Sequence, residues 1–350
     1  MKKPKVLMIG PDRSVHGGIS GVVNNYYDAG LDEKTELCYI GTMVEGSKLR
    51  KLWQAFTALC RFVCKLPFYE IVHVNVASDA SYVRKSFFIR LAKLFGKRIV
   101  IHQHGGDFEN YYAGLSDRGK AKVRKVFSMG DAFLVLSPVL QEFFCDVIDD
   151  KSKIALFPNT IKISEMKSKQ YGQHKLLFLG RICKEKGIHE LLTVMSCLKE
   201  QFPDIRLYLG GIWEEEALQR EAEAQSDHVE WIGWVTGEEK EKYLQECDIF
   251  VLPTYFEGQP VSVLEAMSHS CAVVASDVGG IPQMITSGQN GILIKPQNES
   301  MLQNALKKVL SDAQLCEALG KEARKKVKKE FSMEQSMERL LDIYAKLISQ

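Results

Sequence analysis

Short runs of apolar residues recur along the chain, separated by longer stretches in which apolar residues follow a helical spacing. In the first half, these strand-like runs lie at residues 5–10, 37–40, 71–76, 99–102, 132–136 and 154–157. In the second half they lie at 176–179, 206–209, 229–232, 249–252, 273–276 and 292–294. Strands that alternate with helices form parallel sheets covered by helices on both faces. The pattern therefore predicts an α/β protein with two doubly wound sheets.

The length of the chain fits two domains. Its 350 residues exceed one average domain, and 45% of them are hydrophobic, so each half can bury a core. A polar stretch at 162–174 lies between the two sets of strands and is predicted to be a linker. We therefore expect one domain at residues 1–163, a second at 175–332, and a last segment at 333–350 that is mostly helix.

The segment 253–285 combines a strand end, a loop and a helix start. The loop holds Glu257 and Gly258, and Pro260 follows where the first turn of a helix tolerates proline. Backbone N–H groups at a helix start bind anions, and the oxygens of a diphosphate are a natural ligand. Glu265 would then accept hydrogen bonds from ribose hydroxyls, and Glu257 would face a sugar. Taken alone, however, two glutamates eight residues apart are more often surface charges of an ordinary αβ unit.

A second segment places two cations at a strand end. The apolar run 175–180 leads into Arg181, Lys186 and Gly187 before a predicted helix. In open α/β sheets, ligands bind at the carboxyl ends of the strands. A sugar nucleotide reacts by expelling a nucleoside diphosphate, so fixed positive charge near that leaving group stabilises the transition state more than the ground state. The alternative is that these cations only solvate a loop.

Polar residues also follow a β-branched run in the segment 98–108, which ends in His104, two glycines and Asp107. A histidine at a strand end is often structural, but its place in this turn favours a site. His102 shares the strand face of His104 by period two, so the two histidines could exchange roles. We assign His104, because it carries the Gly-Gly turn.

Near the start of the chain, a strand at 5–10 opens into a loop, and Gly17 and Gly18 begin a helix. Glycines there let a phosphate or sugar approach the backbone closely. The pair is not the G-x-G-x-x-G fingerprint of dinucleotide binding, which argues against a dehydrogenase.

The segment 253–285 closely resembles the E-x7-E region of retaining glycosyltransferases of the GT-B fold, in particular family 4, also called group 1 glycosyltransferases. The matching residues are Glu257, Gly258, Gln259 and Pro260, then Leu264, Glu265, Ala266 and Met267. Gln259 departs from the apolar residue usual there, which leaves the local sugar contacts open. Arg181 and Lys186 resemble the family's diphosphate-binding cations, and His104 resembles its active-site histidine.

The resemblance implies a fold, an activity and a set of site residues. The fold is GT-B, with two Rossmann-like doubly wound parallel-sheet domains facing across a cleft and the helix at 333–350 crossing back to the first domain. The first domain would bind the acceptor and the second the nucleoside-diphosphate sugar. Catalysis is expected to involve His104, Asp107, Arg181, Lys186 and Glu257. The donor nucleotide and diphosphate are expected to contact Gly17, Gly18, Arg181, Lys186, Gly258, Gln259, Pro260, Val261 and Glu265.

The expected reaction transfers a sugar to a hydroxyl acceptor with retention of anomeric configuration. No Asp-x-Asp occurs, so we expect neither a metal nor another cofactor, with Arg181, Lys186 and the helix dipole facing the diphosphate instead. Front-face substitution is favoured over a double displacement through Glu257. Two alternatives are a sugar-nucleotide epimerase on the same scaffold and a non-catalytic subunit that binds nucleotide sugars.

Charge is distributed unevenly along the chain. The net charge is +2, but residues 1–165 hold 24 Lys and Arg against 17 Asp and Glu. Much of this positive charge lies in two candidate amphipathic helices, 47–66 and 84–98, which are predicted to bind an anionic membrane surface. The alternative is that their apolar faces pack on the sheet and the basic residues are solvated. No recognised nucleic-acid module accompanies the charge, so no nucleic-acid partner is expected.

The cysteines point to a reducing compartment. All nine are scattered without a C-x-x-C, which predicts reduced thiols rather than a zinc site or a disulfide framework. No signal peptide is recognisable, and no apolar stretch reaches the roughly 18 residues of a membrane span. The expected location is the cytoplasm, with peripheral binding to the inner face of the membrane. A lipid-linked or surface-polysaccharide precursor, of capsule, exopolysaccharide or O-antigen, is the expected acceptor.

Overall fold

The computed structural model describes residues 3–163, 165 and 168–349. The chain divides into two compact units, Met1–Lys162 with Met333–Gln350, and Ile163–Ser332. Within the described residues, no helix is both long and apolar enough to cross a membrane.

The first unit contains a six-stranded parallel sheet in the order β2-β1-β3-β4-β5-β6. Its strands are β1 (Lys5–Gly10), β2 (Glu36–Gly41), β3 (Ile71–Val76), β4 (Arg98–Gln103), β5 (Ala132–Val135) and β6 (Ile154–Leu156). Its first seven helices are α1 (Gly18–Asp28), α2 (Leu31–Lys34), α3 (Lys48–Lys65), α4 (Asp79–Leu94), α5 (Phe108–Ala113), α6 (Asp117–Phe127) and α7 (Pro138–Val147). The chain leaves β1 towards β2 and then returns to the other side at β3, so the strand order reverses between β1 and β3.

The core of the first unit is rich in aromatic rings. Phe108, Phe127, Phe133 and Phe144 are all buried, and the ring centroids of Phe133 and Phe144 lie 4.7 Å apart. Full burial of each such side chain contributes about 1.5–3 kcal/mol to stability. This core fixes the helices that follow β4 and β5 against the sheet.

The second unit contains another six-stranded parallel sheet, in the order β12-β11-β10-β7-β8-β9. Its strands are β7 (Lys175–Leu179), β8 (Arg206–Gly210), β9 (Val229–Gly233), β10 (Ile249–Leu252), β11 (Ala272–Ser276) and β12 (Ile292–Ile294). Its helices are α8 (Ile188–Gln201), α9 (Glu216–Glu223), α10 (Gly237–Glu246), α11 (Val261–Ser268), α12 (Ile281–Met284), α13 (Glu299–Leu310) and α14 (Ala313–Glu330). Here the strand order reverses between β7 and β10, which are neighbours.

The last helix, α15 (Met333–Ser349), belongs to the first unit. Its Tyr344 is fully buried, and the hydroxyl oxygen lies 2.6 Å from Nδ1 of His73 on β3. The helix is therefore joined by a buried hydrogen bond to a central strand of the sheet.

The predicted strands are confirmed, with ends that differ by at most one residue. The helix expected at 47–66 is confirmed as α3, but the one expected at 84–98 is wrong at both ends. It begins at Asp79 and ends at Leu94, because Gly96 adopts a left-handed conformation (φ 63°) that turns the chain into β4. Lys85, expected on a solvated basic face, is buried, because it lies on the stripe of α4 that faces the core. Burial lowers the pKa of Lys85 well below its usual range, and the nearby charge of Arg84 adds to this effect.

Candidate functional site

The site residues of the second unit gather where its strand order reverses. The adjacent strands β7 and β10 end at Leu179 and Leu252, and the loops that follow them carry Arg181, Lys186 and Glu257. Such a reversal opens a crevice at the carboxyl edge of a sheet, where doubly wound proteins bind ligands. The topology thus explains why residues more than 70 positions apart in sequence meet here.

Lys186 and Glu257 form an ion pair between their side-chain Nζ and Oε1 atoms. Only 14% of the lysine side chain and 17% of the glutamate side chain are exposed, so the pair is largely shielded from water. The β7 and β10 loops are held together beneath it, because the backbone N–H of Tyr255 donates to the carbonyl of Glu185 at 2.8 Å. The sequence predicts that Lys186 binds a phosphate and that Glu257 binds a sugar. In the structure, the two side chains bind each other.

Glycine is required at the end of the turn that carries Lys186. Gly187 has φ 70°, and a Cβ there would lie 2.1 Å from the carbonyl oxygen of Pro253. A larger residue would therefore push the β7 loop away from the β10 loop and separate Lys186 from Glu257.

Arg181 follows β7 directly and is bound by a second carboxylate. Its Nη1 donates to both oxygens of Glu214, at 3.0 and 3.1 Å. Partial burial opposes the charge on Arg181, but the combined attraction of Glu214 and smaller contributors outweighs it, so the pKa of Arg181 is raised. Half of the arginine side chain is exposed, which leaves the guanidinium accessible to a ligand.

The loop from Glu257 to Val261 is supported by the Gly-Gly turn after β11. The N–H of Gly280 donates to the carbonyl of Gly258 at 2.7 Å. A Cβ on Gly279, whose φ is 56°, would lie 1.7 Å from the carbonyl oxygen of Glu257. This close backbone contact fixes the loop that precedes α11. Pro260 stands just before the first helical residue, Val261, while the side chain of Gln259 is buried.

Glu265 lies in the second turn of α11 and forms an ion pair that was not anticipated from the sequence. Its Oε1 is 2.6 Å from Nζ of Lys240 on α10, and both side chains are mostly buried. Lys240 stands in the charged run E-E-K-E-K, which reads as an ordinary solvated helix face. Nothing in that run marks Lys240 as the residue that turns inward, so no sequence signal identifies it.

In the first unit, His104 immediately follows β4 and is held by Asn75 on β3. His104 Nε2 lies 2.8 Å from Oδ1 of Asn75, whose Nδ2 donates to the carbonyl of Ile9. The amide is thereby oriented with its oxygen towards the histidine, so Nε2 carries the proton. Desolvation, with the nearby charges of His73 and Lys85, lowers the pKa of His104 to about 3. Its imidazole is therefore neutral at physiological pH.

His102 lies behind His104. The two ring centroids are 4.0 Å apart, and His102 is fully buried whereas His104 is partly exposed. Of these two histidines, only His104, the one assigned from the sequence, reaches the surface of the unit.

The other first-unit candidates also lie at the carboxyl ends of strands. Asp107 precedes α5 and its Oδ1 accepts a hydrogen bond from Asn110 Nδ2 at 2.6 Å. Gly17 and Gly18 begin α1, and a Cβ at either position would meet no atom of the described chain within 4 Å. Packing within the unit therefore does not require glycine at these two positions.

The predicted residues are thus divided between the two units. Arg181, Lys186, Gly258 to Val261, Glu257 and Glu265 lie together in the second unit, and Gly17, Gly18, His104 and Asp107 lie in the first. Among residues 3–163, 165 and 168–349, no group of three or more His, Cys, Asp or Glu side chains is arranged to hold a metal ion.

Sequence comparison shows what the second unit is similar to. Residues 160–326 match the family model for glycosyl transferases, group 1. Spore coat protein SA of Bacillus subtilis (strain 168) is 29% identical over 187 residues, covering 50% of this chain and 50% of that protein. The putative teichuronic acid biosynthesis glycosyltransferase TuaC of the same strain is 28% identical over 218 residues, covering 59% of this chain and 54% of that protein. The chain spans about half the length of these curated relatives.

Solved structures extend the likeness to both units. Sucrose-phosphate synthase from Thermosynechococcus elongatus superposes with a TM-score of 0.82 at 20% identity, over 99% of this chain and 100% of that one. HepE of Anabaena in complex with UDP-glucose superposes with a TM-score of 0.75 at 14% identity, over 99% of each chain. The fold is therefore the predicted GT-B fold, and residues 160–326 are similar to the group 1 glycosyl transferases.

The group 1 match covers only part of the candidate site. Arg181, Lys186, Glu257 and Glu265 fall inside residues 160–326, whereas His104 and Asp107 fall outside them. The family match therefore applies only to the site residues of the second unit. Roles for the site residues of the first unit are argued from the geometry of that unit alone.

Proposed function

We propose that this protein is a retaining, metal-independent glycosyltransferase of family 4 that moves a sugar from a nucleoside-diphosphate sugar to a hydroxyl acceptor. The observation that carries the proposal is the shielded Lys186 and Glu257 pair beside Arg181 at the strand-order reversal of the second sheet. Two cations and a helix start at one crevice suit a diphosphate, whose negative charge grows as the sugar leaves.

Each second-unit residue has a role in this proposal. Arg181 and Lys186 bind the diphosphate, and the first N–H groups of α11 add to the positive potential. Glu265 accepts hydrogen bonds from the ribose hydroxyls, and Glu257 faces the transferred sugar. Without ligand, Lys186 pairs with Glu257. When the diphosphate binds, Lys186 also contacts the phosphate oxygens, and Glu257 can then accept a hydrogen bond from a sugar hydroxyl.

The reaction proposed is a front-face substitution. The bond between the anomeric carbon and the diphosphate oxygen breaks, the acceptor oxygen attacks from the same face, and the leaving phosphate takes the acceptor's proton. His104, neutral and held through its Nε2–H by Asn75, accepts a hydrogen bond at Nδ1 from a hydroxyl of the sugar or acceptor. Asp107 accepts a hydrogen bond from a substrate hydroxyl.

The acceptor proposed is a precursor of a cell-envelope polysaccharide, bound by the first unit. Support comes from a relative named for teichuronic acid biosynthesis and another named for the biosynthesis of capsular polysaccharide. A cytoplasmic location is proposed because all nine cysteines are free thiols. HepE, whose structure holds UDP-glucose, supports a nucleotide-sugar donor.

A binding and turnover experiment tests this function. We expect a matching nucleoside-diphosphate sugar at 100 times its Kd to raise stability by about 2.7 kcal/mol, measured as thermal stabilisation across a panel of donors. Product must then form only when an acceptor is added. Conversion of the donor without acceptor would indicate the epimerase instead, and binding without any turnover would indicate the non-catalytic subunit.

Chelation tests the independence from metals. Because the sequence contains no Asp-x-Asp, transfer should continue at an unchanged rate in excess EDTA. The measurement is the initial rate with and without chelator, and with Mn²⁺ added back. Loss of transfer in EDTA that Mn²⁺ restores would contradict this part of the proposal.

A further inference from the structure

The outer surface of the first unit carries an unusual apolar stripe on α3. Leu49, Leu52, Trp53 and Phe56 are exposed by 80%, 67%, 67% and 58%. Their spacing of three, four and seven residues puts them on one face of the helix. The inward face of the same helix is occupied by Ala58 and Phe62, which are buried in the core. The core of the unit therefore does not account for the stripe.

The neighbouring helix continues the apolar surface. On α4, Val83, Phe87 and Leu94 are exposed by 52%, 56% and 77%, again at helical spacing. The two helices lie side by side on one face of the sheet, because the connections from β2 to β3 and from β3 to β4 run in the same direction. An edge-to-face contact between Phe62 and Phe88, with centroids 5.0 Å apart, joins them.

The charges around this surface are of one sign on α3. That helix carries Lys48, Arg50, Lys51, Arg61 and Lys65, all exposed, and no acidic residue. None of these five forms an ion pair with any residue that the structure describes. On α4, Arg90 and Lys93 are also exposed.

We propose that the exposed faces of α3 and α4 form a docking surface for an anionic lipid bilayer, which we call the basic apolar face. Its aromatic and aliphatic side chains enter the interface between headgroups and acyl chains, and its lysines and arginines contact lipid phosphates. A second copy of the chain is disfavoured as occupant, because it would bring the five positive charges of one α3 against the five of another. The role of this docking surface rests on the proposed function, because it would hold the enzyme at the membrane that carries its acceptor.

Binding to vesicles tests the role of charge. Each basic residue near an anionic surface is worth about a fivefold gain in affinity. Reversing three of them, in Lys48→Glu, Arg50→Glu and Lys51→Glu together, should lower partitioning onto phosphatidylglycerol-containing vesicles by at least about a hundredfold. The wild type should bind these vesicles at low salt and bind pure phosphatidylcholine vesicles much more weakly.

A matched control separates this face from general attraction of positive charge. The variant Arg118→Glu, Lys122→Glu and Lys125→Glu makes the same change of charge on α6, whose exposed positions include no large hydrophobic residue among those described. It should keep most of the vesicle binding. A loss as large as that of the α3 variant would overturn the proposal.

A second variant tests the apolar part without altering charge. Trp53→Ser with Phe56→Ser should weaken binding to anionic vesicles by at least about tenfold. Trp53 and Phe56 are both exposed, so the substitutions should not disturb folding. The thermal midpoint and the nucleotide affinity check this, and both are expected to match those of the wild type.

Two results would refute the bilayer as occupant. The wild type could fail to bind anionic vesicles, or it could dimerise through Trp53 and Phe56 in sedimentation experiments. If neither the wild type nor any variant binds a nucleotide sugar, the proposed function is wrong. The docking surface is still supported in that case, provided that vesicle binding follows the expected order.

Discussion

Replacing Lys186 with alanine should lower the rate of sugar transfer by about 10²–10³-fold. Lys186 supplies a fixed, largely shielded positive charge at the strand-order reversal, where the leaving diphosphate gains negative charge. A charge in such a site stabilises the transition state more than the same charge in water. The effect should fall mainly on kcat, measured by initial rates at saturating donor.

Lys184 provides a matched control for this substitution. It lies in the same short turn, two residues earlier, and its side chain is exposed. Lys184→Ala should leave kcat within about twofold of wild type, since exposed charges contribute little. Because Lys186→Ala leaves Glu257 without its partner, the thermal midpoint must be measured beside the rate. Equal rates for the two variants would show that Lys186 does not act on the leaving group.

Glu257 and Glu265 should differ in which kinetic constant they control. Glu265→Ala is expected to raise the Kd for the nucleoside diphosphate by about tenfold or more, because it removes charge-assisted hydrogen bonds to the ribose. Glu257→Ala is expected to lower kcat by about 10²-fold with little change in that Kd, since it faces the sugar rather than the nucleotide. Calorimetry with the nucleoside diphosphate and initial-rate kinetics give the two values separately.

Substitution of Lys240, the partner of Glu265, gives a second test of the role of Glu265. Lys240→Met removes the partner that holds the Glu265 carboxylate, and it should weaken nucleotide binding less than Glu265→Ala does. Lys242→Met on the exposed side of the same helix should have no effect. If Glu265→Ala bound the nucleoside diphosphate as tightly as wild type, the ribose assignment would be wrong.

The strands were predictable because most of them are buried on both sides. A parallel strand covered by helices on both faces appears in the sequence as a continuous apolar run, and β1 and β10 are examples. Their ends were legible from the glycines and polar residues that follow. The end of the second amphipathic helix was misplaced because Gly96 turns the chain into β4 before Arg98. The burial of Lys85 was missed because this basic residue lies on the core-facing stripe of the helix.

The partners of the site residues could not be predicted in the same way. Arg181, Lys186, Glu257 and Glu265 stand at recognisable spacings, but Glu214 and Lys240 lie in runs of charged residues typical of any exposed loop or helix. Which member of such a run turns towards the site is decided by packing between distant segments, 33 residues apart for Glu214 and 25 for Lys240. Local sequence carries no information about that choice.

The position of α15 has a consequence for the order in which the protein can fold during synthesis. Tyr344 bonds to His73 on a central strand of the first sheet, yet the ribosome makes it only after the whole second unit. The surface of β3 that binds α15 is therefore uncovered while Ile163–Ser332 is synthesised and folds. The first unit is therefore completed after the second has been made, and a chain released before residue 333 would expose the apolar surface that α15 buries.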